Sequence, residues 1–92
     1  MAIRLGKRNK IQILADMLEA SIDVTPSTKI LGVANVTSRS FRCYLDGLVS
    51  RGFLREIEQA YSERLLYQTT QEGEDVLELV HRLRNAFGEE LW

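Results

Sequence analysis

The sequence predicts a mostly helical α+β domain with three helices, a two-stranded hairpin and a C-terminal helix. Three observations predict this fold class. Residues 30–45 contain two apolar helical segments separated by a sharp corner, and two strand-like segments, 53–58 and 64–69, follow them. The chain has 92 residues, a length that suits one domain with a modest core. We therefore expect residues 1–92 to form a single domain.

The composition is that of an ordinary globular protein, with 45% hydrophobic and 27% charged residues. No apolar stretch is long enough to cross a membrane, and the N-terminus lacks the apolar core of a signal peptide. The single cysteine, Cys43, cannot form an internal disulfide. Since no export signal is present, we expect a cytoplasmic protein with no membrane partner.

The formal net charge of −1 conceals a division along the chain. The chain through Arg55 carries nine basic and four acidic residues, a net charge of +5. From Glu56 onward, three basic residues stand against nine acidic ones, a net charge of −6. This division fits a protein that docks its basic front on a polyanion, and it fits a mixed, solvated surface equally well.

The first helix is expected over residues 7–21, because apolar residues recur there at three- and four-residue spacing. These residues are Ile11, Leu14, Ala15, Leu18 and Ile22, and we expect them to face the core. A basic cluster lies at the start of this helix, where the helix dipole disfavours positive charge. Its members are Arg4, Lys7, Arg8 and Lys10. Phosphate contact would offset that placement; the alternative is a frayed, solvated N-terminus.

The second helix is expected to begin with Thr25 as N-cap and Pro26 in the first helical position. It should run to about Ala34, where Asn35 suits the left-handed conformation that ends a helix. Thr37 can then cap a third helix that continues to Arg51, with Gly52 as its stop.

The third helix has two different sides. Its buried side should hold Phe41, Leu45 and Leu48, flanked by Tyr44 and Val49. The opposite side holds Arg39, Ser40, Cys43, Gly47 and Ser50, with Arg42 and Arg51 near its edges. Small side chains let a helix approach DNA closely, while Arg39 can reach guanine edges or phosphate. Asp46 would repel phosphate unless it turns toward an arginine.

The two strand segments should pair as a hairpin through residues 59–63. Leu65, Tyr67 and Thr69 alternate toward one face, and Phe53, Leu54 and Ile57 supply apolar contacts in the first strand. Arg55, Tyr61 and Arg64 are candidate phosphate contacts. The glutamates among them, Glu56, Glu58 and Glu63, weaken any contribution of this hairpin to DNA affinity.

The last helix is expected over residues 71–92, with Thr70 as N-cap and acidic residues in its first turns. Its apolar seam predicts a homodimer interface formed by Val76, Val80, Leu83, Phe87 and Leu91. Two-fold pairing would place two third helices about one DNA turn apart, or a multiple of it. The alternative is that this helix packs wholly on the first helix of its own chain.

The sequence does not indicate catalysis or metal binding. It has no Gly-rich phosphate loop and no recognisable set of nucleophile, base and orienting residue. Cys43 and the only histidine, His81, lack zinc-ligand spacing. We therefore expect no enzyme, no metal, no cofactor and no evident small-molecule effector.

Two signatures before and after the hairpin carry a family resemblance. They comprise Ile30-Leu31, Ala34-Asn35-Val36-Thr37, Phe41, Tyr44-Leu45, Leu48 and Gly52-Phe53-Leu54, followed by Tyr67-Gln68-Thr69-Thr70 and Glu72-Gly73. Over roughly residues 8–80 the chain resembles the archaeal winged helix-turn-helix family of small DNA-binding proteins and transcriptional regulators. The resemblance implies that residues 37–51 form a recognition helix for the major groove.

The sequence-based hypothesis is a dimeric winged-helix protein that binds double-stranded DNA and regulates transcription. The alternative is a winged-helix module for protein–protein interaction that does not bind DNA. The expected DNA-binding residues are Lys7, Arg8, Lys10, Lys29, Ser38, Arg39, Ser40, Arg42, Cys43, Arg51, Arg55, Tyr61 and Arg64.

Overall fold

A computed structural model describes residues 8–59 and 63–88 of the chain. Its elements are α1 (Lys10–Ala20), β1 (Thr25–Pro26), α2 (Ser27–Ala34), α3 (Ser38–Ser50), β2 (Leu54–Ile57), β3 (Leu66–Thr69) and α4 (Gln71–Phe87). The strands form one antiparallel sheet in the order β1-β3-β2. Three helices, a hairpin and a fourth helix confirm the predicted fold class.

The sheet has a third strand that the sequence prediction missed. β1 pairs with the central strand β3, with Thr25 opposite Tyr67. The prediction that Thr25 is the N-cap of α2 is therefore wrong. The Thr25 hydroxyl instead donates to the carbonyl oxygens of Ala20 and Asp23 at 2.9 and 2.7 Å. Pro26 takes the N-cap position in extended conformation, without a side-chain cap. The prediction was wrong because a Thr-Pro pair suits both a helix start and an edge strand.

Helix α1 starts later than predicted, and its buried face matches the predicted stripe only in part. Asn9 and Gln12 form a reciprocal capping box, which sets the start at Lys10. Ile13 and Met17 are buried, whereas Ile11, predicted to face the core, is 58% exposed. Ala15 and Leu18 are buried as predicted, and Leu14 packs against the core. Because α1 packs against both α2 and α4, its buried face also includes Ile13 and Met17, which the predicted stripe omitted.

The corner between α2 and α3 forms as predicted. Asn35 adopts the left-handed conformation, with φ 50° and ψ 50°, and its N–H donates to the Leu31 carbonyl at 3.0 Å. Thr37 then caps α3 by accepting from the Ser40 N–H at 3.2 Å. Gly52, with φ 78°, follows the end of α3. These residues hold α3 at a fixed angle to α2.

A junction ties the end of α3 to the start of α4. The Phe53 N–H donates to the Leu48 carbonyl at 2.9 Å, and the Thr70 N–H donates to the Phe53 carbonyl at 3.0 Å. The Thr70 hydroxyl donates to the Gly52 carbonyl at 2.5 Å and accepts from the Gly73 N–H at 3.1 Å. We call residues 52–53 together with 70–73 the α3–α4 junction.

The core lies between the helices and one face of the sheet. Met17, Ile30 and Ala34 are fully buried, and Leu54 is 2% exposed. Burying one such large side chain stabilises the fold by roughly 1.5–3 kcal/mol. Thr69 joins the core from β3, and its hydroxyl donates to the Leu18 carbonyl at 2.7 Å, so this buried polar group is satisfied.

The predicted alternation in β3 is only partly correct. Tyr67 and Thr69 are buried on one face. Leu65 precedes the strand and is 46% exposed, while Leu66 is buried instead. The strand therefore begins at Leu66, one residue after Leu65, the first residue of the predicted alternation. In β2, Leu54 lies opposite Thr69 and Ile57 lies opposite Leu66.

Candidate nucleic-acid interface

Helix α3 carries the exposed basic surface that the sequence predicted as a DNA reader. Phe41, Leu45 and Leu48 are buried, which fixes the helix on the core. Arg39 and Cys43 are exposed on the opposite side, and Ser40 is half-buried. A rigid inner face and a polar outer face with short side chains allow close approach to a nucleic acid.

Two arginines on α3 are available to a partner. Arg39 and Arg42 are exposed, and neither makes a hydrogen bond or ion pair within residues 8–59 and 63–88. Arg51 is held on its own helix, because its Nη1 donates to the Gly47 carbonyl at 3.1 Å. Lys29 is exposed on α2, and Ser38 is exposed in the first turn of α3.

Arg8 has a structural role at the far end of α2. Its guanidinium pairs with Asp16 and donates to the Ala34 carbonyl, and its Nη1 donates to the Val33 carbonyl at 3.3 Å. A cation over the last carbonyls of a helix complements the helix dipole. Lys10 is exposed at the start of α1, while Lys7 lies outside the described residues.

The hairpin presents one of its basic residues in a defined position. Arg55 Nη2 donates to Gln68 Oε1 at 2.7 Å, and Gln68 Nε2 donates to the Ile22 carbonyl at 3.3 Å. This chain of bonds holds the Arg55 side chain against the sheet. Arg64 is exposed, and Tyr61 lies outside the described residues.

A groove of about 460 Å³ runs between α2, α3 and β3, beside the exposed basic side of α3. Its lining is a mixture of apolar, hydroxyl and charged side chains: Ser27, Thr28, Leu31, Ser38, Arg39, Phe41, Arg42, Leu45, Asp46, Leu65 and Tyr67. Sequence analysis did not single out Ser27, Thr28 and Tyr67 as site residues. The sequence pattern of Tyr67 indicates only that it shares one face of its strand with Leu65 and Thr69, and the α2 residues have no recognisable motif.

The structure divides the predicted seam of α4 into two parts. Val76 and Val80 are half-buried against the core of their own chain. Leu83 and Phe87 are 51% and 57% exposed, and Leu79, outside the predicted seam, is 59% exposed. We call Leu79, Leu83 and Phe87 the α4 stripe. Leu91 lies outside the described residues.

Helix α4 also contacts α1 through polar groups. His81 Nε2 lies 3.8 Å from Glu19 Oε2, and both side chains are substantially exposed.

In the parts of the chain that the structure describes, no cluster of three metal-ligating side chains occurs. None of the helices within these same residues has the length and hydropathy to cross a membrane.

Comparison with known proteins places this geometry in a family. A family model described as winged helix-turn-helix matches residues 7–87. Comparison with curated proteins gives no match.

Solved structures share the fold at low sequence identity. The chain is similar to the DNA-binding protein Sso10a-2 from Sulfolobus solfataricus, with 23% identity, a TM-score of 0.70, and coverage of 87% of this chain and 85% of that one. It is also similar to a mutant MarR from E. coli complexed with operator DNA, with 22% identity and a TM-score of 0.66. That match covers 87% of this chain and 54% of MarR, so the chain spans about half the length of MarR.

Proposed function

The chain belongs to the winged helix-turn-helix family, and on that basis we propose that it is a cytoplasmic, dimeric transcriptional regulator that binds double-stranded DNA. The observation that carries the proposal is the outer side of α3, where Arg39 and Arg42 are exposed without a partner among the described residues. Two uncommitted guanidinium groups on a rigid helix suit both base edges and phosphates. We propose no enzymatic activity.

The proposed contacts fall into two groups with different effects. Arg39, Ser40 and Cys43 lie on the outer side of α3 and would face base edges in the major groove, with Ser38 at the start of the helix. Exposed basic residues around them would contact phosphates and carry no sequence information. These are Lys10, Lys29, Arg42, Arg51, Arg55 and Arg64. Arg8 is omitted because its guanidinium is half-buried, paired with the Asp16 carboxylate and bonded to the Ala34 carbonyl, whereas Arg51 and Arg55 are exposed and have no carboxylate partner among the described residues.

The proposed dimer forms through the α4 stripe. Leu79, Leu83 and Phe87 are spaced by four residues and lie on one side of the helix. All three are more than half exposed, and every residue of the helix from His81 onward is exposed. The second half of α4 thus presents apolar surface that its own core does not cover, which is typical of an interface.

A second copy of this chain is the partner that fits the α4 stripe. The same three apolar residues are exposed on each copy, so two-fold pairing lets each stripe cover the other.

Salt dependence tests the DNA-binding proposal directly. We expect fluorescence anisotropy with mixed-sequence duplex DNA to show binding that weakens steeply with salt. Neutralising about four phosphates gives a log–log slope near −3.6, so raising salt from about 50 to about 200 mM should weaken binding by about a hundredfold. Absence of binding at the lower salt concentration would contradict the proposal and favour the protein-interaction alternative.

The division between base readers and phosphate contacts predicts different effects for two arginines. On a duplex selected for tight binding, Arg39→Ala should reduce discrimination between matched and mismatched base pairs by about tenfold or more. Arg55→Ala should weaken all sequences alike and lower the salt slope by about one. Competition binding against a set of single-base variants measures both. An equal loss for every sequence in Arg39→Ala would contradict its role as a base reader.

A further inference from the structure

The exposed basic side of α3 also carries a carboxylate. Asp46 is exposed and lines the same groove as Arg39 and Arg42. Seven residues advance a helix by almost two full turns, so Asp46 lies within about 20° of Arg39 around the helix axis. A negative charge on a surface proposed to bind DNA needs a specific reason, because it repels every phosphate near it.

The protein does not neutralise this carboxylate. Asp46 makes no hydrogen bond or ion pair within the described parts of the chain. Arg42 lies four residues earlier, but base before acid is the weaker order for an ion pair on a helix. Glu78 and Arg82 have the stronger order on α4, and they pair at 2.9 Å. Asp46 therefore presents an unpaired acceptor on the side of α3 that is proposed to face DNA.

Asp46 and Arg42 act in opposite directions on one buried group of the groove. Burial is the largest cause that raises the pKa of Tyr67, the carboxylates of Glu56 and Asp46 raise it further, and Arg42 lowers it. Both charges of α3 thus lie beside the same wall of the groove without pairing with each other. This side of the helix offers hydrogen-bond donors and an acceptor next to one another.

Short side chains surround Asp46 on α3. Cys43 and Ser50 are exposed on the same side of the helix, and Gly47 follows Asp46 directly. Because aspartate is itself short, its carboxylate reaches base edges only where the helix backbone comes close to them, and short neighbours permit that approach. Contact with base edges also keeps the carboxylate away from the phosphates that would repel it.

We propose that Asp46 is a specificity-determining residue that accepts a hydrogen bond from the exocyclic amine of cytosine in the major groove. A carboxylate only accepts, and cytosine N4 is a donor with which Asp and Glu pair. Guanine and thymine offer acceptors at this edge, and adenine places its N7 acceptor beside its amine, so all three disfavour a carboxylate. The inference rests on the proposed DNA binding and adds one base that the bound site must contain.

The helix geometry also gives the distance between this cytosine and the base that Arg39 contacts. Seven residues rise about 10.5 Å along an α-helix, and successive base pairs are about 3.4 Å apart. For a helix that lies along the major groove, the two contacts are thus about three base pairs apart. If Arg39 reads guanine, each bound copy should select a guanine and a cytosine at this separation.

Selection from a pool of random-sequence duplexes tests the assignment, using the full chain and two variants. The native protein should select a cytosine at one position. Asp46→Asn should change that base to adenine, because an amide pairs with both N6 and N7, and Asp46→Ala should leave the position without preference. Circular dichroism should show the same fold for all three, since Asp46 is exposed. Selection of the same cytosine by all three proteins would overturn the proposal.

Affinity measurements separate base reading from general repulsion. On the selected duplex, replacing the cytosine–guanine pair with thymine–adenine should weaken native binding by about tenfold or more, and Asp46→Ala binding by less than about twofold. Asp23→Asn is the matched control, because it removes the same charge from an exposed residue between α1 and β1; it should keep the native preference. If Asp46→Asn strengthens binding to every duplex equally, Asp46 only repels phosphate and the proposal is wrong.

The native protein alone distinguishes failure of this inference from failure of the proposed function. Steep salt dependence with mixed-sequence DNA, combined with a selected site that lacks the cytosine, would contradict the role of Asp46 and leave DNA binding intact. Absence of binding at low salt would contradict the proposed function and this inference together.

Discussion

Replacing Gly73 with alanine should lower the free energy of unfolding by roughly 3 kcal/mol. A Cβ at this position would lie 2.2 Å from the Phe53 carbonyl oxygen and 2.6 Å from Thr69 Cγ2. The first neighbour is backbone in the α3–α4 junction, so no side-chain rotation relieves the overlap. Urea unfolding followed by circular dichroism measures the loss.

The matched control is Gly32→Ala in α2. Gly32 is exposed within a helix, and a Cβ there meets no atom within 4 Å. Alanine should therefore stabilise the protein by about 0.5–1 kcal/mol, because it has the higher helix propensity. Equal changes in the free energy of unfolding for the two substitutions would contradict this prediction. They would show that Gly73 affects stability only through helix propensity and that the α3–α4 junction can accommodate a Cβ.

Replacing Leu83 with glutamate should dissociate the proposed dimer without unfolding the protomer. Leu83 is 51% exposed in the single chain, so the substitution places little charge in its own core. In the paired state the same carboxylate would be buried among apolar side chains, at a cost of about 3 kcal/mol. The dimer dissociation constant should rise by about a hundredfold.

Sedimentation equilibrium measures this change, since the protomer mass is 10.5 kDa. Asn85→Glu is the control, because it adds the same charge to an exposed position of α4 away from the α4 stripe. It should leave the association constant nearly unchanged. A native protein that sediments as a monomer at all concentrations would refute the α4 interface outright.

Local chemistry explains which elements the sequence could predict. Thr37 and Thr70 cap their helices through their own side chains, and Asn35 tolerates the left-handed conformation where few residues do. Such signals act over three or four residues and do not depend on the rest of the fold. The corner around α3 and the start of α4 were predictable for that reason.

Features that depend on packing partners were not predictable in the same way. The buried face of α1 depends on both α2 and α4, so spacing alone wrongly favoured Ile11 over Ile13 and Met17. The pairing of Thr25 with Tyr67 joins residues more than forty positions apart. The groove beside α3 was not predictable for the same reason. Its walls come from α2, α3 and the region of β3, and no local sequence pattern specifies the distances between these elements.

The exposed second half of α4 acts as a lever arm fixed at the α3–α4 junction. From Gly73 to Phe87 the helix rises about 21 Å, so a tilt of about 5° at its base moves its far end by about 2 Å. Hydrogen bonds from Thr70 to Gly52 and Phe53 join that base to the end of α3. In a dimer held by α4, the stiffness of this one corner would therefore set how much variation in half-site spacing the two α3 helices tolerate.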